Sequence, residues 1–276
     1  MNTDLHISFI GAGNMSRSLI GGLINDHYPA ANISATDPDA EQRQQLATAL
    51  GVNTYADNID ACAKADIVVL AVKPQIMATV CQQLAPALHK TKPLLISIAA
   101  GIQIQSLEKW LGSSQAIVRT MPNTPSLVGS GAAALFASKT VSDDQRQQAE
   151  SILRAVGLTL WLEDEQQMDA VTALSGSGPA YFFLIMELMQ TIGEKMGLSP
   201  EVSRLLTLQT GFGATKMALE SELDCAELRR RVTSPGGTTE QAIDKLLDGN
   251  IDKLMNEALN TARERAIELT KLLGKS

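Results

Sequence analysis

The residues best suited to bind a reactive ligand form a glycine-rich turn near the N-terminus. The apolar run at residues 7–10 is typical of a strand, and the segment after it begins a helix. In that arrangement Gly11 permits a tight turn, and Gly13 lets the backbone approach a pyrophosphate at the helix N-terminus. Ser16 replaces the third glycine of the fingerprint and is still small. The sequence therefore predicts a dinucleotide site formed by Ile10, Gly11, Ala12, Gly13, Asn14, Met15 and Ser16.

An acidic residue at the end of the second predicted strand bears on the choice of dinucleotide. Asp37 lies roughly 20 residues beyond the turn, where an acid would bond the ribose 2′-hydroxyl of NADH. A carboxylate there would repel the 2′-phosphate of NADPH. Because Arg17 and Arg43 could still reach a phosphate, the residues alone leave both dinucleotides open.

Two further strand ends carry small residues. Ligands of open α/β sheets bind outside the carboxyl ends of the strands, so small residues there let a nicotinamide ribose approach. Lys73 at one of these ends is either a ligand contact or an ordinary surface lysine. The predicted contacts are Ala71, Val72, Lys73 and Pro74 at the first end, and Ala99, Ala100 and Gly101 at the second.

A second anion site is predicted in the other half of the chain. Pro235, Gly236 and Gly237 stand directly before a helical stretch and are accompanied by three hydroxyl residues. A helix N-terminus offers free N–H groups, and hydroxyl side chains can cap it or bond a ligand. The segment predicts an anion site, and a plain capped turn is the alternative.

The elements that must position these residues change type along the chain. Strands are predicted at 6–10, 32–36, 66–72, 93–100 and 117–120, with helices at 15–25 and 40–50. Strands that alternate with helices indicate a parallel sheet covered on both faces. After about residue 164 only helical stretches are predicted, at 169–196, 201–219 and 250–273. The expected fold is α/β: a Rossmann-type dinucleotide-binding domain at 1–163, then an all-α domain at 164–276.

The predicted helix at 176–196 is apolar on every side, with six consecutive large apolar residues from Tyr181 to Met186. Such a helix in a soluble protein must be buried all round. A helical domain of this size has little core in which to hide it alone. The sequence therefore favours a homo-oligomer over a helix buried within one chain.

Composition excludes several classes of function. The net charge of −7 argues against a nucleic-acid partner. The three cysteines are far apart, which predicts no disulfide framework and a reducing cytoplasm. We expect no secretory signal, no membrane-spanning run of about 20 apolar residues, and no metal site. None of the three histidines ends a predicted strand, so a histidine acid for carbonyl reduction is unsupported.

Two other functional classes were weighed. The 3-hydroxyacid dehydrogenases place a lysine and an asparagine after a Gly-x-Gly stretch that opens the long helix. Here Phe182 and Met186 occupy those positions, which counts against that class. A cofactor-binding sensor on a Rossmann scaffold is the other alternative. It would not need the intact anion loop at 234–239.

Several long ordered strings carry a resemblance over essentially the whole chain: residues 9–15, 71–75, 97–102, 119–125, 169–181 and 233–239. On these strings the chain resembles the pyrroline-5-carboxylate reductases. The resemblance implies reduction of 1-pyrroline-5-carboxylate to L-proline by hydride transfer from NAD(P)H, the last step of proline biosynthesis. It implies NADPH as the usual cofactor, with NADH as an alternative. It also implies that the all-α half at 164–276 is a dimerisation and substrate domain, and that the chain forms homodimers, which in this family often assemble further into decamers.

The same resemblance implies roles for individual residues. Ser234, Gly236, Gly237, Thr238 and Thr239 would receive the substrate carboxylate, with Thr239 near the ring nitrogen as the catalytic candidate. Glu222 would lie close to the substrate, and Asn58 would contact the adenosine ribose or its phosphate. Asp37 departs from members that carry serine at the 2′-phosphate, which puts cofactor preference in doubt. A protonated imine is already electrophilic, so catalysis by positioning is expected.

Overall fold

One sheet organises the first half of the molecule. The structure is a computed structural model that describes residues 2–274. Its strands lie side by side in the order β3-β2-β1-β4-β5-β6-β7-β8. All neighbours are parallel except β6 and β7, which are antiparallel. The strands are β1 (Ile7–Ile10), β2 (Ile33–Thr36), β3 (Asn53–Tyr55), β4 (Ile67–Leu70), β5 (Leu94–Ser97), β6 (Ile117–Met121), β7 (Gly131–Ala137) and β8 (Gly157–Trp161).

The order of the sheet reverses at β1, which pairs with β2 on one side and with β4 on the other. A reversal of this kind leaves a crevice at the carboxyl ends of the strands, where open α/β sheets bind ligands. The turn that follows Ile10 lies at this point. The predicted Rossmann-type architecture is confirmed.

The central strands are apolar throughout because both faces of the sheet are covered. All four residues of β1, of β4 and of β5 are buried. Successive side chains of a strand point to opposite faces. Accordingly Phe9 packs in the core on one face, and Ile10 packs with Val68 in the core on the other. Full burial of each such side chain contributes about 1.5–3 kcal/mol, so the crevice stands on a rigid support.

The helices of the first half have recognisable ends. Asp39 accepts the N–H groups of Glu41 and Gln42 at the start of α2, and Gly51 ends that helix in the left-handed conformation. Ser142 and Gln145 form a capping box on α6. The helices are α1 (Asn14–Asn25), α2 (Ala40–Leu50), α3 (Asn58–Cys62), α4 (Met77–Thr91), α5 (Ile104–Leu111) and α6 (Asp143–Arg154).

Three strands were not predicted. Strand β3 has three residues, of which two are exposed, so it carries no apolar run. Strand β7 contains four alanines and a glycine, which have low β propensity. Strand β8 lies at the edge and alternates between half-buried and exposed residues. The expectation of a purely parallel sheet is therefore wrong at β6 and β7.

The helical half begins with a short helix, α7 (Gln167–Val171), and a π-helical turn at Thr172–Gly176. The remaining helices are α8 (Gly178–Lys195), α9 (Pro200–Glu220), α10 (Cys225–Arg231), α11 (Thr238–Asp248) and α12 (Ile251–Leu273). Helices α8 and α9 approach closely at Gly193, where an added Cβ would lie 2.3 Å from Ser203 Oγ. The described residues beyond 164 contain no strand, as predicted.

Contacts divide the chain into two compact units, Met1–Ser177 with Ala262–Ser276 and Gly178–Thr261. The end of α12 therefore packs with the sheet domain. Thr270 Oγ1 lies 3.3 Å from Asp169 Oδ1 there. The expected boundary between residues 163 and 164 stays a prediction.

The apolar helix α8 is exposed within the single chain, contrary to the requirement that it be buried on every side. Phe182 and Phe183 are 60% and 65% exposed. The helical stretch Gln167–Lys195 is also long and apolar enough to cross a membrane by length and composition alone. The expectation that no such run exists is therefore wrong. Glu187 interrupts the stretch, and a helix that packs against protein meets the same criterion.

Candidate active site

The glycine turn after β1 has a conformation that only glycine adopts readily. Gly11 has φ +106°, and its N–H donates to the Thr36 carbonyl at 3.0 Å. A Cβ at this position would stand 2.8 Å from the Ala71 carbonyl oxygen. The turn thus joins the ends of β1, β2 and β4 through contacts that leave no room for a side chain.

The N-terminus of α1 is open and rich in donors. Gly13 is the N-cap residue, no described side chain caps the helix, and its first turn contains no acid. A Cβ built on Gly13 would meet no described atom within 4 Å. The first N–H groups of a helix lack intrahelical acceptors, and they attract an anion. Ser16 Oγ donates to the Gly11 carbonyl at 2.6 Å, which ties the helix to the turn. The geometry therefore fits a pyrophosphate.

Asp37 at the end of β2 is held by backbone groups. Its Oδ2 accepts from the Ala12 N–H at 3.2 Å, and its Oδ1 accepts from the Asp39 N–H at 3.0 Å. Arg43 Nη1 donates to the Asp37 carbonyl at 2.6 Å. Arg17 Nε donates to the Ala12 carbonyl at 3.3 Å. Both guanidinium groups therefore bond backbone carbonyls of the segments that hold Asp37, the residue that the sequence suggested would repel a 2′-phosphate.

Asn58 is brought to the same strand end by a residue that was not predicted. Thr36 Oγ1 donates to Asn58 Oδ1 at 2.6 Å. Thr36 is buried, and its hydroxyl oxygen also lies 3.4 Å from the Gly11 nitrogen. The structure therefore places Asn58 beside the glycine turn and Asp37. The position of Thr36 immediately before Asp37 is the signal that could have identified it.

The predicted contacts after β4 and β5 are adjacent to the turn but differ in access. The Ala71 N–H donates to the Ile10 carbonyl at 2.9 Å. Lys73 and Ala100 are exposed, and Val72 and Pro74 are half-buried. Ala99 and Gly101 are buried. A Cβ on Gly101 would lie 3.2 Å from Leu273 Cδ1, so this glycine has a packing role. Its contact with a cofactor stays a prediction.

Two backbone N–H groups of the anion loop before α11 already have hydrogen-bond acceptors in the loop and the helix. The Gly236 N–H donates to Glu240 Oε2 at 2.7 Å, and the Gly237 N–H donates to the Ser234 carbonyl at 3.0 Å. Gly236 has φ +71°, the left-handed conformation that favours glycine. Glu240, a residue that the sequence did not single out, shows that a carboxylate fits against this loop.

The free donors of the loop are therefore those of the first helical turn. Gly237 is the N-cap of α11, and no described side chain caps the helix. The N–H groups of Thr238 and Thr239 have no intrahelical acceptor. Contact of the two glycines with substrate stays a prediction, as does contact of Glu222, which is exposed between α9 and α10.

Other reactive side chains take structural roles. Burial raises the pKa of the Cys62 and Cys81 thiols to about 12, so neither is an available nucleophile near neutral pH. All three cysteines are free. His89 Nε2 lies 2.7 Å from the Leu111 carbonyl oxygen. Residues 2–274 contain no group of three or more His, Cys, Asp or Glu residues that could hold a metal ion.

Two family models match separate parts of the chain. A family model described as pyrroline-5-carboxylate reductase dimerisation matches residues 165–269. A model described as NADP oxidoreductase, coenzyme F420-dependent, matches residues 6–101. The second match covers the glycine turn and all the predicted cofactor contacts.

Individual relatives align over nearly the full chain. A pyrroline-5-carboxylate reductase from Pseudomonas aeruginosa is 56% identical over 269 residues, 98% of each chain. The structure of a pyrroline-5-carboxylate reductase from Coxiella burnetii has a TM-score of 0.92 and 49% identity, covering 96% of this chain and 98% of that one. A Plasmodium falciparum pyrroline carboxylate reductase with NADP bound has a TM-score of 0.86 and 32% identity, covering 97% and 98%.

Proposed function

The chain belongs to the pyrroline-5-carboxylate reductase family, and from that premise we propose how its residues divide the reaction. The enzyme reduces 1-pyrroline-5-carboxylate to L-proline, the last step of proline biosynthesis, with NADPH as the hydride donor. The observation that carries the division of roles is that α1 and α11 each begin at a glycine N-cap, Gly13 and Gly237, without a side-chain cap. One suits a pyrophosphate and the other suits a carboxylate.

The first helix end would hold the cofactor. The backbone of residues 10–16 would receive the pyrophosphate. Asp37 and Asn58 would face the adenosine ribose, with Arg17 and Arg43 supplying positive charge for a 2′-phosphate. The residues after β4 and β5 would line the nicotinamide side. When bound, NADPH supplies the hydride that is added to the imine carbon.

Asp37→Asn tests the electrostatic part of this assignment. The amide keeps the size of the side chain and an oxygen that can accept a backbone N–H, but removes the negative charge. We expect the ratio of kcat/KM for NADPH to that for NADH to rise by about tenfold, because about 1.4 kcal/mol of repulsion is removed. Asp39→Asn is the matched control, since Asp39 caps α2 through its own carboxylate. An equal rise in both variants would show general charge rather than recognition at Asp37.

The second helix end would hold the substrate carboxylate. Its donors are the N–H groups and hydroxyls of Thr238 and Thr239, supported by Ser234 and by the turn at Gly236 and Gly237. Glu222 would lie near the bound ring. Thr239 would hold or relay the proton of the ring N–H. Since a protonated imine is already electrophilic, the chain needs to supply position rather than a strong acid.

Thr239→Ala tests the proposed proton contact. We expect kcat to fall by about 10- to 100-fold at saturating substrate, the range for a modest proton-transfer group. Thr233→Ala is the control, because the Thr233 hydroxyl donates to the Arg229 carbonyl at 2.6 Å and is engaged locally. The assay follows NADPH oxidation by absorbance with 1-pyrroline-5-carboxylate. An unchanged kcat in Thr239→Ala would remove this residue from the chemistry.

The dimerisation domain supports a homodimer, and we extend the proposal to further assembly into a decamer and to a cytoplasmic location. The exposed apolar surface of α8 and α9 supports the dimer, because monomeric soluble proteins rarely expose large contiguous apolar patches. The free, buried thiols of Cys62 and Cys81 fit a reducing compartment.

A further inference from the structure

The loop after β6 contains an asparagine whose side chain is fully engaged. Asn123 Nδ2 lies 3.2 Å from the Ser175 carbonyl oxygen and 3.2 Å from Ser175 Oγ. Asn123 Oδ1 accepts from the Ala132 N–H at 2.9 Å. One partly buried amide thus links three segments of the sheet domain: the β6 loop, the start of β7 and the π-helical turn at Thr172–Gly176.

The Ser175 carbonyl cannot make its regular α-helical hydrogen bond, for a covalent reason. In an α-helix it would accept from the N–H four residues later, but residue 179 is proline and has no N–H. The local ladder is already widened, since the Ser177 N–H donates to the Thr172 carbonyl at 2.8 Å. A π turn interrupts a helix at a cost in regular hydrogen bonds and is frequent at functional sites. Asn123 supplies a donor that the helix lacks.

The topology places Asn123 at the ligand edge of the sheet. Strand β6 is parallel to β5, with Ser97 opposite Arg119, so both strands end at the same edge. Asp37, directly after β2, would lie on the adenosine side of the crevice. A dinucleotide that crosses the switch point therefore extends its nicotinamide half towards β4, β5 and β6.

We propose that Asn123 is a positioning residue for hydride transfer: it locks the π turn at Ser175 against the β6 loop and so keeps the nicotinamide side of the crevice in one geometry. This inference rests on the proposed function. Met121 supports the same junction, because a Cβ added to Gly176 would stand 2.5 Å from Met121 Cε. Asn123 acts through the backbone of the π turn, which it holds by hydrogen bonds.

Asn123→Asp is the decisive variant. It keeps the acceptor for the Ala132 N–H, loses both Nδ2 donors and sets a carboxylate oxygen against the Ser175 carbonyl. We expect kcat to fall by about 10- to 100-fold, because misplacement by about 1 Å has that effect on rate. The KM for NADPH should stay within about threefold, since the pyrophosphate contacts are unaltered. The primary deuterium isotope effect on kcat, measured with 4-deuterated NADPH, should rise as hydride transfer becomes rate-limiting.

A pH profile separates the lost hydrogen bond from general damage. A protonated aspartic acid regains an O–H donor. The kcat of Asn123→Asp relative to the wild type should therefore recover as the pH is lowered towards the ordinary pKa of an aspartic acid, about 4. The same ratio for Asn123→Ala should stay flat. Asn53→Asp is the matched control, because Asn53 Nδ2 donates to the Ala31 carbonyl at 2.9 Å at the opposite edge of the sheet.

The kcat and the isotope effect of the folded variants decide whether Asn123 is a positioning residue. Wild-type kcat and isotope effect in folded Asn123→Asp and Asn123→Ala would overturn the proposal. If thermal unfolding shows that neither variant folds, Ser175→Ala replaces them. Ser175→Ala removes the hydroxyl acceptor and leaves the Ser175 carbonyl. Because only one contact of Asn123 is weakened, we expect kcat to fall by about two- to fivefold and the isotope effect to rise. Unchanged values of both would refute the positioning role. Failure of the wild type to oxidise NADPH with 1-pyrroline-5-carboxylate would instead refute the proposed function.

Discussion

Gly11→Ala is expected to lower kcat/KM for NADPH by at least about 100-fold, because the turn that we propose receives the pyrophosphate cannot hold a side chain. At φ +106° an alanine is strained, and its Cβ would stand 2.8 Å from the Ala71 carbonyl oxygen. The strain alone should lower the free energy of unfolding by about 1–3 kcal/mol. Fluorescence titration with NADPH measures the binding loss, and thermal unfolding measures the stability.

Two other glycines in the same segment make the test specific. A Cβ on Gly13 meets no described atom within 4 Å, so Gly13→Ala should fold normally yet bind NADPH about tenfold more weakly, because only the pyrophosphate approach is blocked. Gly21 lies inside α1 with similar free space. Gly21→Ala should raise stability by about 0.5–1 kcal/mol and leave NADPH affinity unchanged. Normal affinity in both Gly11→Ala and Gly13→Ala would place the pyrophosphate elsewhere.

Phe183→Glu is expected to have the second large effect: it should convert the proposed homodimer into monomers, with loss of activity. Phe183 on α8 is 65% exposed, and Phe212 on α9 is 63% exposed. Obligate homodimer interfaces resemble a domain core cut in half and usually bury 2,000 Å² or more, so a charge at their centre costs several kcal/mol. Sedimentation equilibrium measures the oligomeric state, and NADPH oxidation measures the activity.

Gln44→Glu is the matched control for that variant. It introduces the same charge on the exposed surface of α2, in the sheet domain. It should leave both the oligomeric state and the activity unchanged. A Phe183→Glu protein that remains dimeric at micromolar concentration would show that the exposed apolar face of α8 is covered by something other than a second copy.

Local patterns were sufficient where one short segment contains the whole feature. The strand, turn and helix from residue 7 to residue 25 were predicted closely because the apolar run, the two glycines and the helix follow one another directly. Helix α2 matches its predicted bounds because Asp39 and Gly51 mark its ends. Strand β7 was missed because its alanines gain their burial from neighbours distant in sequence.

The candidate site shows the same division. Its backbone donors could be predicted, since a glycine turn before a helix always offers N–H groups. The positions of charged groups around Asp37 could not be predicted, because they depend on where Arg17 and Arg43 lie in the fold. The hydrogen bond from the Gly236 N–H to Glu240 likewise could not be predicted from the order of residues in the segment.

The amino-acid sequence by itself was sufficient for the family, the two candidate anion sites at helix N-termini and the Rossmann-type fold, because each depends on contiguous residues and their local conformation. Only the tertiary structure decided which side chains complete those features. Thr36 meets Asn58, and Asn123 meets Ser175, across 22 and 52 residues of chain. Such pairs are selected by the register of the sheet and by the donors and acceptors that local structure leaves unpaired.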